Sequence, residues 1–369
     1  MSSLILDSLE IRNFRVFRHL CIERLGRVNL IVGKNSVGKT CLLEAVWLFA
    51  RKAEPRAVWE QLVTRDEMNE RFVSDEVEMI RNQLAALKYL SHGRRNIPSM
   101  QEPIQIGPAK VLDRRLSIQV GLHVRKNGKP HLELQTPLSG SVSTGEAIPV
   151  LAIQVGEKAL YDYPLDKPMD RTWTNGSDPV GVRCVLISAN GLESRQVSEL
   201  WDKVALTDLE ESVLDSLRLI APEVKRVNLI SGHRGGRERV PIARLEGLEE
   251  PVSLRSLGEG MTRVLGVALA LVNAREGLLL IDEVESGLHY SVQLGLWRSI
   301  FALAHRLNVQ VFATTHSWDC VTAFQQATQE DQQEEGMLIR LENRRGEIVP
   351  VLIDEKQLAI ATSQEIEIR

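Results

Sequence analysis

Apolar and polar residues alternate through LILDSLEIRNFRVF (4–17), the pattern of a half-buried strand, and RVNLIVG (27–33) is the apolar run of a buried one. Leu42, Leu43, Val46, Trp47 and Phe49 then recur at near-helical spacing, so the first fifty residues predict a strand, loop, helix unit. From Arg51 to about Pro98 the text is charged and helical. VEMIRNQLAALKYL (77–90) is amphipathic over only about two heptads, which excludes a long coiled-coil arm. RLSIQVGLHVRKNGKPHLELQTPL (115–138) predicts two strands around KNGK and IPVLAIQVG (148–156) a third, an antiparallel sheet within 99–180. GVRCVLIS (181–188), RVNLISG (226–232), GLLLIDE (277–283) and VQVFATTHS (309–317) read as strands, 197–220 as one or two helices, and MLIRLENRRGEIVPVLI (337–353) as a closing hairpin. Apolar strands ending in polar residues, with helical text between them, predict a parallel α/β sheet with its chemistry at strand carboxyl ends. No internal repeat or low-complexity tract interrupts this pattern.

At 369 residues the chain suits one elaborated domain or a domain with a sizeable insertion. A formal net charge of -4 gives no global pull toward nucleic acid or anionic membrane, so such a contact would need a local patch. Cys21, Cys41, Cys184 and Cys320 lie far apart, against a zinc site or a disulfide framework and in favour of a reducing cytoplasm. Polar residues come too early in MSSLILDSLEIRNFR for a signal-peptide core, and no apolar run reaches spanning length. The expectation is a soluble cytoplasmic protein without a membrane partner.

IVGKNSVGKT (31–40) fits the eight-residue phosphate-loop pattern through Gly33, Gly38, Lys39 and Thr40. Glycines let successive backbone N–H groups turn inward around phosphates. Lys39 would meet the β and γ phosphates, Thr40 would offer its hydroxyl to Mg2+, and the following helix presents its positive end. Gly33, Asn35, Ser36, Gly38, Lys39 and Thr40 are therefore the candidate nucleotide contacts. GTP is disfavoured because no N-K-x-D or T-K-x-D motif is present, and DPVG (178–181) reads as a turn.

The richest segment is LRSLGEGMTRVLGVALALVNAREGLLLIDEVESGLH (254–289). Its strand ends in Asp282 and Glu283, adjacent carboxylates where a phosphate-loop enzyme needs one acid for the magnesium shell and one to polarise water. SLGEG (256–260) precedes a helix whose apolar face is Val264, Leu265, Val267, Ala268 and Leu271. A serine and glycines at a helix start are either a second anion site or an ordinary N-cap.

In this order the motifs resemble those of the ABC-type ATPases of the RecF, SMC and OLD-like branch. SLGEG resembles the signature motif, ESGLH (285–289) the dimer-contacting loop, and His316 sits where that class keeps its switch histidine. LEIRNFRVFRHLCIERLGRVNLIVGKNSVGKTCLLEAVWLF (9–49) and the closing text from 340 onward are similar to small prokaryotic AAA-type ATPases; the middle matches poorly. The resemblance implies an α/β P-loop NTPase fold of ABC-ATPase type with an antiparallel β subdomain and a helical insertion. Its core would take residues 1–50 and 181–369, its helical insertion 51–98, and its β-rich segment 99–180, part of the head.

It also implies a mechanism. Two protomers would pair head to tail, so that Lys39, Thr40, Asp282 and Glu283 of one and Ser256, Gly258 and Glu259 of the other close around MgATP. Glu283 would position water and His316 would sense the γ phosphate. A glutamine would complete the magnesium shell in this class; Gln196 is either that residue or a solvated helix-start glutamine. Arg12 and Arg15 would either approach the nucleotide or solvate a strand edge. QEDQQEEG (329–336) has loop composition, so the Toprim nuclease of OLD-type enzymes is not expected here. KRVNLISGHRGGRERVPIARLE (225–246) is locally basic and would contact DNA or serve as a solvated or partner surface. The functional expectation is an ATPase acting in a DNA-linked process, defence or repair, with a separately encoded effector. The alternative is an ATP-gated scaffold that holds an effector protein without touching DNA.

Overall fold

The computed structural model describes residues 4–68, 75–94, 103–126, 129–133, 147–167, 181–231, 239–330, 336–354 and 357–360. The alternating stretch 4–17 is not one strand. β1 (Leu9–Phe14) and β2 (Phe17–Ile22) form a hairpin in which Phe14 pairs with Phe17, and Arg15 turns the chain at φ 49°. β3 (Val28–Val32) leads through the phosphate loop into α1 (Lys39–Ala50). α2 (Pro55–Thr64) starts with a proline, and α3 (Glu76–Leu87) is capped by Asp75, whose carboxylate accepts the Glu78 N–H at 3.1 Å.

β4 (Ile104–Gly107), β5 (Leu116–Lys126), β6 (Lys129–Glu133), β7 (Ala147–Val155) and β8 (Lys158–Pro164) supply the expected antiparallel sheet. Its order is β2-β1-β4-β5-β7-β8, with β6 on β5, so the N-terminal hairpin belongs to this sheet as well. β9 (Cys184–Ile187), α4 (Ser194–Asp202), α5 (Leu209–Arg218), β10 (Val224–Ser231), β11 (Arg239–Leu245) and β12 (Val252–Ser253) follow. The basic stretch 225–246 is thus an antiparallel hairpin of β10 and β11, with 232–238 outside the described residues. α6 (Glu259–Asn273), β13 (Leu278–Ile281), α7 (Tyr290–Arg306), β14 (Gln310–Thr314), α8 (Trp318–Glu330), β15 (Gly336–Arg344) and β16 (Glu347–Ile353) complete the chain. Residues 178–180 of DPVG and 331–335 of QEDQQEEG also lie outside the described residues.

The central sheet has the order β16-β15-β3-β14-β13-β9. All its pairs are parallel except β15 with β16. The closing hairpin is therefore more than a flap, because β15 extends the parallel sheet beside β3. Alternate residues of each buried strand face opposite cores: Leu279, Ile281, Val311 and Ala313 pack with α5 to α8, whereas Leu278, Leu280 and Phe312 pack with α1 and the antiparallel sheet. Helix α1 buries ten of its twelve residues, which is why its sequence is apolar nearly all round. Among the described residues no helix is long and apolar enough to cross a membrane.

Candidate functional site

β3, β14 and β13 are parallel neighbours, so the loops at their carboxyl ends meet at one edge of the sheet. The phosphate loop follows β3, Asp282 and Glu283 follow β13, and Thr315 and His316 follow β14. Ser36 and Gly38 take positive φ, 65° and 94°. A Cβ on Gly38 would lie 2.5 Å from Val16 Cγ2 and 2.9 Å from Phe17 Cζ, so the β1–β2 turn packs against the loop and glycine is required there.

Lys39 is buried, and its ammonium donates to the carbonyls of Gly33 (2.6 Å) and Lys34 (3.0 Å). Burial pulls its pKa down from the usual lysine range, while the charges of Asp282, Glu283 and Glu285 oppose that shift. Thr40 donates its hydroxyl to Asp282 Oδ2 at 2.9 Å, bringing together two candidate metal oxygens that lie 242 positions apart in sequence. Thr314 donates to Asp282 Oδ1 at 2.6 Å and accepts the Glu283 N–H at 2.8 Å. Glu283 has φ 49°, a left-handed conformation costly for a residue with a side chain. His316 Nε2 lies 3.7 Å from Glu283 Oε1, and the His316 N–H donates to Glu285 Oε1 at 2.9 Å.

These residues fit MgATP. The αL-turned glycine loop leaves no room for a Cβ at Gly38, and the Lys39 ammonium is directed to loop carbonyls. Hard oxygens of Thr40 and Asp282 converge as Mg2+ prefers, and Mg2+ takes few protein ligands because phosphates and water fill its octahedron. Among the described residues no group of three or more His, Cys, Asp and Glu is placed to hold a metal ion by itself.

The structure does not bring every candidate together. Ser256, Gly258 and Glu259 lie at the exposed start of α6; Ser256 Oγ donates to Ser253 O at 2.6 Å, and nothing approaches within 4 Å of where a Gly258 Cβ would stand. Gln196 is a capping residue, its Oε1 accepting the Glu193 N–H at 2.9 Å at the start of α4. Arg12 pairs with Glu10 at 2.7 Å. Arg15, its side chain 4% exposed, pairs with Glu44 at 2.7 Å and Glu67 at 2.9 Å behind α1. Both arginines are thus engaged by carboxylates.

Three residues at the site escaped the sequence reading. Thr314 was visible as a hydroxyl at a strand end, and Glu285 only as the start of the ESGLH loop, not as a partner of the His316 N–H. Arg263 stood as a lone cation on an apolar helix. It donates to the carbonyls of Ser188 (3.0 Å), Asp282 (2.8 Å) and Glu283 (2.7 Å).

Residues 5–91 match the AAA ATPase domain family, and residues 171–319 match the AAA domain family whose description names the AbiEii toxin and type IV toxin–antitoxin systems. The chain is 21% identical over 348 residues to an ATP/GTP phosphatase of Helicobacter pylori, covering 88% of this chain and 89% of that protein. It is 44% identical over 45 residues to the DNA replication and repair protein RecF of Clostridioides difficile, covering 12% of each. Its fold is similar to that of an SMC head solved with the C-winged helix domain of ScpA, with a TM-score of 0.50 at 12% identity, over 95% of this chain and 99% of that one. With the phosphate loop, the two acids and the parallel sheet in place, the two family matches identify the chain as an AAA ATPase, and its fold is that of an SMC head.

Proposed function

We propose that this ATPase works as a homodimer closed around MgATP, each site combining one protomer's phosphate loop and acids with its partner's signature segment. The observation that carries this reading is the exposure of Ser256, Gly258 and Glu259, polar groups and backbone at a helix start that among the described residues make no hydrogen bond to the phosphate loop. A helix start offers N–H donors and a positive dipole end, which suit a γ phosphate. ATP then acts as the glue between protomers, and its loss loosens them.

Lys39 and the loop amides hold the phosphates, and Thr40 and Asp282 hold Mg2+, which when bound neutralises charge developing on the transferred phosphoryl group. Glu283 accepts a hydrogen bond from the attacking water and orients it in line. His316, beside Glu283, reports whether the γ phosphate is present.

The test is ATP turnover against protein concentration, with Glu283→Gln and Ser256→Arg made singly and mixed. Specific activity rises with concentration, Glu283→Gln accumulates ATP-bound dimers, and Ser256→Arg binds ATP without turnover. Concentration-independent turnover that Ser256→Arg leaves untouched would return the protein to a monomeric switch.

The cycle serves a cytoplasmic DNA-linked process, defence against phage or mobile DNA or repair, through a separately encoded effector such as a nuclease. Arg226 and Arg244 support this. They stand directly opposite on β10 and β11 and both are exposed, a like-charge pair that an anionic partner relieves. The exposed Ile230 and Val240, paired on the same hairpin, favour the second reading, an ATP-gated scaffold docking a protein effector. Salt-dependent stimulation of turnover by DNA, lost in Arg226→Glu with Arg244→Glu, supports the first. Turnover that DNA leaves unchanged supports the second.

A further inference from the structure

Helix α6 is apolar on nearly every face, and Met261, Val264, Leu265, Val267, Ala268 and Leu271 are all buried. Arg263 sits among them at 7% exposure. A buried cation is costly unless it is paired and hydrogen-bonded. Here burial pulls the guanidinium below the usual arginine range, opposed by the charges of Glu285, Asp282 and Glu283. Yet among the described residues its hydrogen bonds go to none of those carboxylates. Nη1 donates to Ser188 O, and Nη2 is shared between Asp282 O and Glu283 O. An arginine serving only as a counter-charge would fork onto a carboxylate. This one grips backbone and leaves the acids' oxygens available.

The gripped backbone is the unusual one. Glu283 is left-handed, and its peptide environment is fixed at both ends: the N–H by Thr314 Oγ1 and the C=O by Arg263 Nη2. Where the Glu283 carboxylate stands follows from that backbone. Arg263 also lies four residues after Glu259, the first residue of α6, so a shift of the helix start is carried through a rigid turn to the Glu283 carbonyl.

We propose that Arg263 is a positioning residue that holds Glu283 in its hydrolysis-competent left-handed conformation and ties that conformation to the signature end of helix α6. The proposal rests on Glu283 as the water-orienting acid.

The test uses the full chain with Arg263→Ala, Arg263→Lys and Glu283→Gln. Arg263→Ala is expected to lower kcat on the order of 10- to 100-fold, as displacement of a catalytic group by about an ångström does. ATP affinity should stay within about twofold, the split expected when only the chemical step is touched. Millimolar guanidinium should restore part of the Arg263→Ala rate, and Arg263→Lys should recover less than the native rate because one ammonium cannot span three carbonyls. Hydrogen exchange across 278–288 in the nucleotide-free protein should rise in Arg263→Ala, a readout independent of turnover. Adding Arg263→Ala to Glu283→Gln should cost little more than Glu283→Gln alone, because the two act as a unit. An unchanged kcat in Arg263→Ala, or a loss that follows the melting temperature and ignores guanidinium, overturns the proposal. Native turnover in Glu283→Gln instead overturns the assignment of the acid.

Discussion

The Thr314 hydroxyl donates to Asp282 Oδ1 at 2.6 Å, across the ends of the neighbouring strands β14 and β13. The same oxygen accepts the Glu283 N–H at 2.8 Å. One hydroxyl therefore sets the orientation of the Asp282 carboxylate and the backbone of Glu283 together. Thr314 is fully buried, whereas Asp282 and Glu283 are partly exposed.

Thr314→Val keeps the side-chain volume and removes both bonds. Leaving the partly buried Glu283 N–H and Asp282 Oδ1 without this partner should cost about 1 kcal/mol of stability. Turnover should fall by roughly 10- to 100-fold as the acids lose their orientation. Urea unfolding and steady-state ATP hydrolysis on the same preparation separate the two effects.

Lys39→Met should abolish measurable ATP binding while preserving the fold. Among the described residues the ammonium bonds loop carbonyls, and a buried methionine avoids the desolvation that lowers the lysine's pKa. Titration with a fluorescent ATP analogue and a thermal melt are the measurements. A variant that binds ATP with native affinity contradicts the phosphate role.

Arg15 belongs to the fold rather than to the nucleotide. Arg15→Leu should destabilise by about 1–3 kcal/mol, because the buried Glu44 loses one of its two cations. Glu44 is buried between Arg15 and Arg65. ATP affinity of the folded fraction should not change. Chemical denaturation together with nucleotide titration checks both statements.

Two carboxylates should give opposite pH slopes. Burial raises the Glu44 pKa above 4.5 in the folded chain, against the opposing charges of Arg15 and Arg65. Its contribution is therefore fully present below pH 4.5 and is lost as pH rises through the raised folded value. Glu10 is also penalised by burial, but hydrogen bonds from Arg12 and His19 and the charge of Arg115 outweigh this and lower its pKa below 4.5. Its contribution is present above 4.5 and is lost as pH falls through the lowered value. Unfolding midpoints from pH 3 to 8 in Glu44→Gln and Glu10→Gln should each lose the corresponding slope, on the scale of about one pKa unit per 1.36 kcal/mol.

The sequence by itself determined the local chemistry: a glycine loop between an apolar strand and a helix, an acid pair ending an apolar run, and a serine–glycine segment before a helix. These are short-range patterns, fixed by what phosphate binding and strand burial demand of neighbouring residues. It also determined the parallel sheet, since β3, β13 and β14 are mostly apolar runs, which bury both faces.

Tertiary structure decided which of those groups meet. Thr40 and Asp282 converge because β14 lies between β3 and β13, an order that no spacing along the chain encodes. Arg15 turned inward because α1 is enclosed between two sheets, so that Glu44 needed a buried cation beside it. Thr314 and Arg263 act on Glu283 and Asp282 through backbone atoms or a single hydroxyl, contacts that leave no periodic trace in sequence. Gln196 closes the same contrast: the family resemblance left it between a magnesium-shell ligand and a helix-start glutamine, and in the structure it caps α4 by accepting the Glu193 N–H. Motifs follow from neighbours along the chain, whereas the assembled site depends on which strand ends the fold sets side by side.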